Sequence, residues 1–426
     1  MPDEMDTRPT VAVIGGGAAG MMAAYHAAQM GVRVLMLEGT GKLGRKLRIT
    51  GKGRCNVTND CDTQEFLNNV RTNPRFLYAA LDRFSPADTK AFFEARGVPL
   101  KTERGRRVFP VSDKAGDIVG ALADACHRAG VEVVYERARS LWLENDVLRG
   151  VCADGGNYAA NAVIVCTGGK SYPLTGSDGG GYDLARQAGH TIVDPKPSLV
   201  PMTVKGDVCP LLQGLSLKNV GLKVIDTKSG KTVYEDFGEM MFTHFGITGP
   251  MVLSASSHLH DLSAGRYTAR IDLKPALDEK TLDARILSDF EKYRNKDFIH
   301  ALDDLLPKKL IPVIIRESGI DERCKVNTIT KEQRRALLTL LKGFELPLHG
   351  FRPIDEAIVT AGGVSVKEIN PKTMESKLLR GLYFAGEVID VDAYTGGYNL
   401  QIAFSTAVLA GESAAMEVAS GGSEPF

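Results

Sequence analysis

The feature that most constrains this chain is an apolar segment, residues 11–14, that runs directly into glycines at positions 15, 17 and 20. Dinucleotide-binding proteins bind the pyrophosphate with this arrangement, in which a buried strand is followed by the G-x-G-x-x-G spacing and then by a helix. Gly15 permits the tight turn, and Gly17 lets backbone amides approach the phosphates. Gly20 lets the following helix pack closely on its strand. The alternative is a glycine-rich loop that holds no ligand.

The flanking elements favour the dinucleotide interpretation. A helix is predicted over residues 18–30, so the N–H groups at its start, including those of Ala18 and Ala19, would face the phosphates. A second apolar strand ends at Glu38, which precedes Gly39 and can accept hydrogen bonds from a ribose diol. Because an acid at this position repels a 2'-phosphate, the sequence predicts the adenosine of FAD or NAD.

Composition narrows the function class. The 426 residues are 43% hydrophobic, enough for a large core, and the 52 cationic side chains balance 52 acidic ones. This balance argues against general binding to nucleic acid or to an anionic membrane. The first ten residues are polar, and no apolar run approaches the length of a membrane span, so we expect a cytoplasmic protein. Seven cysteines without a C-x-x-C pair fit reduced thiols, with no metal site and no disulfide framework.

The order of predicted elements indicates an α/β fold. Strand and helix patterns alternate up to residue 169, with a β-hairpin predicted across residues 141–155, which is typical of a doubly wound Rossmann-type domain. Short strands with Gly and Pro turns follow from about residue 195 to 273. Residues 276–345 have helical periodicity and heavy charge, and apolar strands resume after Pro353.

The carboxy-terminal segment favours a flavin over NAD. An apolar strand at residues 382–385 leads to Gly386 and Glu387, and a small-residue helix begins near Asn399 after a Gly-Gly turn. FAD needs a second binding segment of this kind, because its ribityl chain and its ring must be held as well as its adenosine. The residues predicted to contact the cofactor in this segment and in the middle turn are Thr167, Gly168, Gly169, Gly386, Glu387, Asn399, Leu400 and Gln401.

The chain resembles a known family, the BaiN/YhiN-like NAD(P)/FAD-dependent oxidoreductases of the glutathione-reductase-like fold. The strings that carry the resemblance occupy residues 44–59, 107–115, 166–182, 242–250 and 386–401. The resemblance implies an FAD-binding domain built from both chain ends (1–195 and 376–426). It also implies an inserted β-barrel-like domain (196–275 and 346–375) and a small helical domain (276–345). Family members are linked to bile-acid reduction or labelled aminoacetone oxidases, so it leaves the substrate open.

A basic loop follows the first βαβ unit. Its cations are Lys42, Arg45, Lys46, Arg48, Lys52 and Arg54, with no acid before Asp60. One interpretation is that Arg45, Lys46, Thr50, Gly51 and Gly53 supply charge and donors to the FAD diphosphate and the reduced ring. The others are a solvated loop and a docking stripe for RNA.

Candidate catalytic residues are weaker. His244 is the best acid or base among eight histidines, although a histidine satisfied within its own domain is the simpler interpretation. Tyr398, Asp390 and Asp392 flank the last loop and either contact substrate or orient the turn. Cys55 and Cys61 have five residues between them, which does not suit the redox pair of disulfide reductases.

We therefore expect an FAD-dependent oxidoreductase that acts on a small molecule. Either NAD(P)H docks transiently against the flavin as the reductant, or the substrate reduces the flavin and oxygen or another acceptor reoxidises it. Residues 177–185 lack the third glycine of a second nucleotide loop, so no separate NAD(P)H domain is predicted. The rival hypotheses are a flavin amine oxidase, a flavin-containing RNA-binding or tRNA-modifying protein, which Arg104, Arg106 and Arg107 would also support, and a non-catalytic nucleotide-binding module. The sequence does not fix the oligomeric state.

Overall fold

A computed structural model describes residues 9–259, 262 and 265–421. The chain divides into two compact units, one made of Met1–Ser198 with Ile354–Phe426 and the other of Leu199–Pro353. Each unit has its own cluster of buried apolar side chains. The second unit is therefore an insertion between the two halves of the first.

The strands in chain order are β1 (Thr10–Ile14), β2 (Arg33–Leu37), β3 (Thr58–Asn59), β4 (Leu100–Glu103), β5 (Arg107–Pro110), β6 (Glu132–Val134), β7 (Ala138–Glu144), β8 (Val147–Ala153), β9 (Gly156–Ala159), β10 (Ala162–Val165), β11 (Ile192–Ser198), β12 (Met202–Val204), β13 (Ser216–Asp226), β14 (Thr232–Phe242), β15 (Gly246–Thr248), β16 (Tyr267–Asp272), β17 (Phe344–Phe351), β18 (Val359–Val364) and β19 (Leu382–Phe384). The α-helices are α1 (Ala18–Gln29), α2 (Arg45–Ile49), α3 (Thr63–Asn68), α4 (Tyr78–Arg83), α5 (Pro86–Glu94), α6 (Ala115–Arg128), α7 (Gly180–Gln187), α8 (Val208–Leu212), α9 (Pro250–Ser256), α10 (Glu279–Lys292), α11 (Ile311–Ser318), α12 (Lys331–Lys342) and α13 (Tyr398–Ala419).

A parallel sheet forms the centre of the first unit, in the order β19-β10-β1-β2-β6. Strands β1 and β10 are buried along their whole length, as expected for a sheet covered on both faces. Because all five strands run in the same direction, the loops that follow β1, β2, β10 and β19 lie at one edge of the sheet. This edge is where α/β sheets of this kind bind their ligands.

Two alanine-rich helices of the first unit, α1 and α13, pack against each other. A Cβ added at Gly411 of α13 would lie 2.5 Å from the carbonyl oxygen of Ala23 in α1, so only glycine permits this approach. Both helices are largely buried, and each is rich in alanine. Their contact connects the two ends of the chain.

Helix α13 corrects one expectation from the sequence. Among the described residues it is the one helix long and apolar enough, by length and composition, to cross a membrane. In the fold, however, 78% of its apolar window is buried inside the protein. A helix buried in a protein core has the same composition, which explains the resemblance to a span.

Antiparallel elements surround the central sheet. The predicted hairpin is confirmed as β7 and β8, with β9 beside them, and its turn residues Asn145 and Asp146 both have positive φ. Asn and Asp tolerate this left-handed conformation, which two-residue hairpin turns require. Strands β3, β4 and β5 form a second small sheet, and β11 pairs with β18.

The second unit is a closed barrel in the order β12-β15-β14-β13-β16-β17. The helices α10, α11 and α12 share its apolar core, so the predicted barrel and helices form one compact unit. Local capping fixes two of these helices. Asp278 accepts a hydrogen bond from the Thr281 amide at the start of α10, and Thr330 forms a capping box with Gln333 at the start of α12.

The domain boundaries differ from the prediction at two segments. The family resemblance implied that residues 346–375 belong to the inserted β-barrel-like domain, whereas the structure groups the chain from Ile354 onward with the first unit. The physical reason is strand pairing, because β18 forms an antiparallel pair with β11 rather than joining the barrel. Sequence periodicity identifies a strand but not its partner. The resemblance also implied a separate helical domain at residues 276–345, which the structure includes in the same unit as the barrel.

Gly20→Ala is expected to lower the stability of the cofactor-free protein by about 2 kcal/mol. The added Cβ would lie 1.7 Å from the carbonyl oxygen of Gly15, so the helix must move away from its strand. Gly17→Ala is the matched control, because no other atom lies within 4 Å of its Cβ position. Thermal unfolding of both variants measures the effect, and equal midpoints would contradict the packing role of Gly20.

Candidate cofactor and catalytic site

The loop after β1 leaves open space at the start of α1. Gly15 has a φ of 103°, which favours glycine, and the first helical hydrogen bond runs from the Met21 amide to the Gly17 carbonyl. In the described part of the chain, the amides of Ala18, Ala19 and Gly20 have no hydrogen-bond partner, and nothing fills the space beside Gly17. Free amides facing open space at a helix start form a site for phosphate oxygens.

Glu38 lies beside this loop, at the end of β2, with 7% of its surface exposed. Its Oε2 accepts a hydrogen bond from the Gly16 amide at 2.8 Å, and its Oε1 accepts from the amide and hydroxyl of Thr40 at 2.6 and 2.5 Å. These donors fix the carboxylate while Oε2 keeps acceptor capacity for a ribose hydroxyl. Gly39 packs against Arg137, where a Cβ would lie 3.3 Å from the arginine Cβ.

Loops from three distant parts of the sequence meet at this edge. A Cβ at Gly15 would lie 2.6 Å from the carbonyl oxygen of Cys166, just before the predicted turn of Thr167, Gly168 and Gly169. A Cβ at Gly386 would lie 2.8 Å from that of Ala19. The structure therefore brings the predicted early, middle and late cofactor segments into contact.

A half-buried polar clasp joins the early and late segments. The Lys46 ammonium donates to Glu387 Oε2 and to Ser171 Oγ, both at 2.6 Å. The Ser171 hydroxyl and the Thr360 amide both lie 2.9 Å from Glu387 Oε1 and donate to it. The sequence predicted Lys46 beside the diphosphate, whereas its ammonium is committed here to the Glu387 carboxylate. Ser171 and Thr360 were missed, although Ser171 follows the Gly-Gly turn directly.

Four buried polar atoms near these segments have no hydrogen-bond partner. They are Asn56 Oδ1, Asn59 Oδ1, Ser177 Oγ and the Tyr182 hydroxyl. The Ser177 and Tyr182 hydroxyls lie close to the Gly168–Gly169 turn, and burial raises the pKa of Tyr182, so its phenol keeps its proton. Buried groups without partners are costly, so these atoms are best explained by a polar ligand. FAD, with a diphosphate, a ribityl chain and a polar ring edge, fits this set.

The basic loop has an unusual backbone. Gly51, Lys52, Gly53 and Cys55 all have positive φ, and two of these are not glycine. Left-handed backbone at such residues is costly and concentrates at functional sites. Arg45 is exposed, and the Thr50 hydroxyl donates to the Leu47 carbonyl, so neither side chain contacts the clasp.

Helix α13 presents its start to the same edge. Gly397 caps it in the left-handed conformation, and the Gln401 amide makes the first helical bond to the Gly397 carbonyl. The amides of Tyr398, Asn399 and Leu400 have no partner among the described residues. A helix start with three free amides stabilises negative charge, which suits a reduced flavin ring.

Two predicted contacts in α13 have structural roles for their side chains. The Asn399 amide group both accepts from the Ala393 amide at 3.0 Å and donates to its carbonyl at 2.8 Å, which fixes the preceding loop. Gln401 is fully buried, and its side chain is bonded to Thr58, Thr89, Phe84 and Ser405. The Gln401 side chain therefore has no free group for a cofactor, and only backbone contacts remain open to the helix start.

The two catalytic candidates lie in different units. His244 is exposed on the turn between β14 and β15 of the second unit, with its ring edge on Phe245. Tyr398 lies in the first unit, packed edge-on against Phe66, and burial raises its pKa to about 12. A phenol of that pKa is protonated at neutral pH. The catalytic roles of both residues stay predictions.

Asp390 and Asp392 form a buried acidic pair on the loop before α13. Asp392 is fixed by the hydroxyls of Thr72 and Ser198, at 2.5 and 2.8 Å. Asp390 Oδ2 accepts from the Asn73 side-chain amide at 3.1 Å. Burial, and secondarily the neighbouring Asp392, raises the pKa of Asp390. When two neighbouring carboxyls lie in different environments, one can stay protonated and act as an acid while the other stays ionised.

The thiols of the basic segment are poor nucleophiles. Burial raises the pKa of Cys55 to about 12 and that of Cys61 to about 11, the latter helped by Glu65. Since the thiolate is the reactive form, thiols with raised pKa values are weak nucleophiles at neutral pH. They fit the sequence interpretation of small packed thiols.

Glu38→Gln is expected to weaken FAD binding at least about tenfold, because a neutral amide accepts fewer charge-assisted hydrogen bonds from a ribose. The fold should be retained, since one side-chain oxygen still accepts from the loop. Fluorescence quenching of FAD on titration of the cofactor-free protein measures the change. Glu132→Gln, on the exposed Arg33–Glu132 pair, is the control, and equal affinities of the two variants would show that Glu38 is not the ribose ligand.

Comparison with known proteins agrees with this geometry. The family model described as HI0933-like protein Rossmann domain matches residues 9–413. The chain is 34% identical over 412 residues to a 3-dehydro-bile acid delta(4,6)-reductase of Clostridium scindens, covering 95% of this chain and 98% of that protein. It is 32% identical over 404 residues to a ribosomal RNA dihydrouridine synthase of Haemophilus influenzae, covering 93% and 96%.

Among solved structures, a single-residue variant of the quinol fumarate reductase subunit FrdA of Escherichia coli superposes with a TM-score of 0.50 at 15% identity. The superposition covers 97% of this chain and 72% of that one, and it supports the fold alone. With the family match spanning nearly the whole sequence, the chain belongs to the HI0933-like Rossmann family, and it is an FAD-dependent oxidoreductase.

Proposed function

We propose that this protein is a reductase that saturates a carbon–carbon double bond conjugated to a ring carbonyl. The observation that carries the proposal is the cofactor edge of the first unit, which places a buried carboxyl of raised pKa, Asp390, on the loop that leads into α13. The names of the two relatives support the same chemistry. A keto bile acid with ring double bonds and a uracil ring both contain a double bond conjugated to a carbonyl.

In this proposal each part of the site has a stated role. Bound FAD supplies the hydride when it is reduced. The free amides at the start of α1 and the Glu38 carboxylate hold the adenosine diphosphate end. The clasp of Lys46, Ser171 and Glu387 would fix the loops that surround the ring end of the cofactor.

Asp390 would hold the proton that the reduction requires. Its carboxyl lies among Asn73, Asp392 and the Gly362 backbone, and the Tyr182 phenol is a nearby titratable group of another element. Because burial favours the neutral form, the carboxyl keeps a proton to higher pH than an exposed aspartate. The proton would pass from a carboxyl oxygen to the carbon next to the carbonyl.

The test of the function uses the purified holoprotein under anaerobic conditions. We expect NADH or NADPH to bleach the flavin absorbance, and a cyclic enone or a uridine-containing RNA to restore it with formation of the saturated product. Flavin that is bleached by aminoacetone but not restored by any conjugated carbonyl would instead support the amine oxidase hypothesis. Protein that does not bind FAD would contradict the assignment altogether.

Asp390→Asn is expected to slow reoxidation of the flavin by a conjugated carbonyl by about 100-fold or more. Bleaching by NADPH should change little, because that step needs no proton from Asp390. In the wild type the reoxidation rate should fall as pH rises through the raised pKa of Asp390, since only the neutral carboxyl donates. Stopped-flow absorbance from pH 5 to 9 measures both, and an unchanged pH profile in the variant would contradict the role.

An RNA substrate is a second candidate, favoured by one surface feature. Exposed cations without an acidic partner in the described structure cluster on and near the basic loop, namely Lys42, Arg45, Arg48, Lys52 and Arg104. Such cations neutralise phosphates and make binding depend steeply on salt. Filter binding of ribosomal RNA fragments at several salt concentrations tests this hypothesis. If the protein binds RNA at 150 mM salt no more tightly than an acidic control protein does, the small-molecule substrate is favoured.

We also place the protein in the cytoplasm. The seven cysteines all carry free thiols in the structure, which suits a reducing compartment.

A further inference from the structure

Two segments of the first unit pair beside the start of α13. The Val70 and Ala393 backbones form an antiparallel bridge, and the Arg71 amide donates to the Asp392 carbonyl at 2.8 Å. The Tyr394 amide donates to the Asn69 carbonyl at 3.0 Å. These bonds fix the backbone of Arg71 next to the loop that carries Asp390.

One donor of the Arg71 side chain is not satisfied by the protein. Its Nε is buried and has no hydrogen-bond partner, and no carboxylate within the described residues pairs with its guanidinium. The guanidinium carbon lies 5.7 Å from the centroid of the Tyr394 ring. A guanidinium always carries its charge, so leaving it half-buried without an acceptor is costly unless a ligand supplies one.

The surroundings indicate which ligand group fits. A cation beside an aromatic ring suits a flat, conjugated molecule with an electron-rich oxygen at its edge. Neither Arg71 nor Tyr394 takes part in the clasp of Lys46, Ser171 and Glu387. The free amides at the start of α13 already provide donors for the cofactor ring.

We propose that Arg71 binds the carbonyl oxygen of the substrate and stabilises the negative charge that develops on it during reduction. This inference rests on the proposed function. Bound reduced FAD would supply a hydride to the far carbon of the double bond, and the double-bond electrons would move onto the carbonyl oxygen to give an enolate. A proton then bonds to the carbon next to the carbonyl, and the carbonyl reforms. Arg71 keeps all its protons and contributes only charge and hydrogen bonds.

Phenols test this binding without turnover, because a bound phenolate resembles an enolate and gives a long-wavelength absorbance band when it stacks on oxidised flavin. Arg71→Ala and Arg71→Lys would be titrated with 4-chlorophenol at pH 7, alongside wild-type holoprotein. Arg75→Ala is the matched control, because Arg75 is an exposed arginine four residues away in the same segment. We expect phenolate binding to weaken at least about tenfold in Arg71→Ala, to weaken less in Arg71→Lys, and to be unchanged in the control.

A second measurement tests whether Arg71 binds an oxygen of the substrate or an oxygen of the cofactor. We expect the FAD dissociation constant and the flavin midpoint potential of Arg71→Ala to match those of the wild type. A shifted potential with unchanged phenolate binding would assign Arg71 to the cofactor and overturn the proposal. Equal phenolate binding in Arg71→Ala and wild type, or no phenolate band in the wild type, would overturn it as well.

Turnover then distinguishes failure of this inference from failure of the proposed function. With 2-cyclohexenone as oxidant, flavin reoxidation should slow about 100-fold or more in Arg71→Ala and recover in part on addition of millimolar guanidinium. Wild-type protein that binds phenolate through Arg71 but reduces no conjugated carbonyl would contradict the proposed function while supporting an oxygen-binding Arg71. Wild-type-like turnover in Arg71→Ala would contradict the inference alone.

Discussion

The pairing of β10 with both β1 and β19 is the interaction on which the rest of the first unit depends. It places strands from residues 10–14, 162–165 and 382–384 side by side, so that their carboxyl ends form one edge. Without this alignment the early glycine loop and the late glycine turn would have no fixed relation. The contact of Gly386 with Ala19 and the ion pair of Lys46 with Glu387 both follow from it. One register of backbone hydrogen bonds thus assembles a site from residues hundreds of positions apart.

The close approaches at this edge explain why small residues occupy it. Carbonyl oxygens fill the positions where side chains at Gly15 and Gly20 would stand. At Gly17, by contrast, the space beside the backbone is open. The glycines of one motif therefore serve two purposes, since two permit packing of the protein on itself and one leaves room for a ligand.

The sequence predicted those parts of the fold and site that depend on local pattern. The glycine loop, the acid after β2 and the apolar helix α13 are each recognisable from spacing and periodicity, because backbone geometry restricts which residues can occur there. Partners that are distant in sequence were not predictable in the same way. Lys46 was predicted to face phosphates because it lies in a basic run, but its partner Glu387 lies 341 residues later. Gln401 lies where a cofactor contact was expected, yet it satisfies the hydroxyls of Thr58 and Thr89 inside the core. Arg71 gave no sequence signal, because its significance comes from a buried nitrogen without a partner, and only coordinates reveal that.

The unsatisfied groups also connect stability with function. The left-handed backbone at Lys52 and Cys55 and the unpartnered atoms of Asn56, Ser177 and Tyr182 all reduce the stability of the protein without ligand. A ligand that satisfies them binds the folded state and not the unfolded one, so its binding energy adds directly to stability. If FAD is that ligand, as we propose, the same groups that make the cofactor-free first unit less stable would contribute to its affinity. Because the proposed FAD segments come from both ends of the chain, that gain in stability would also resist separation of those ends.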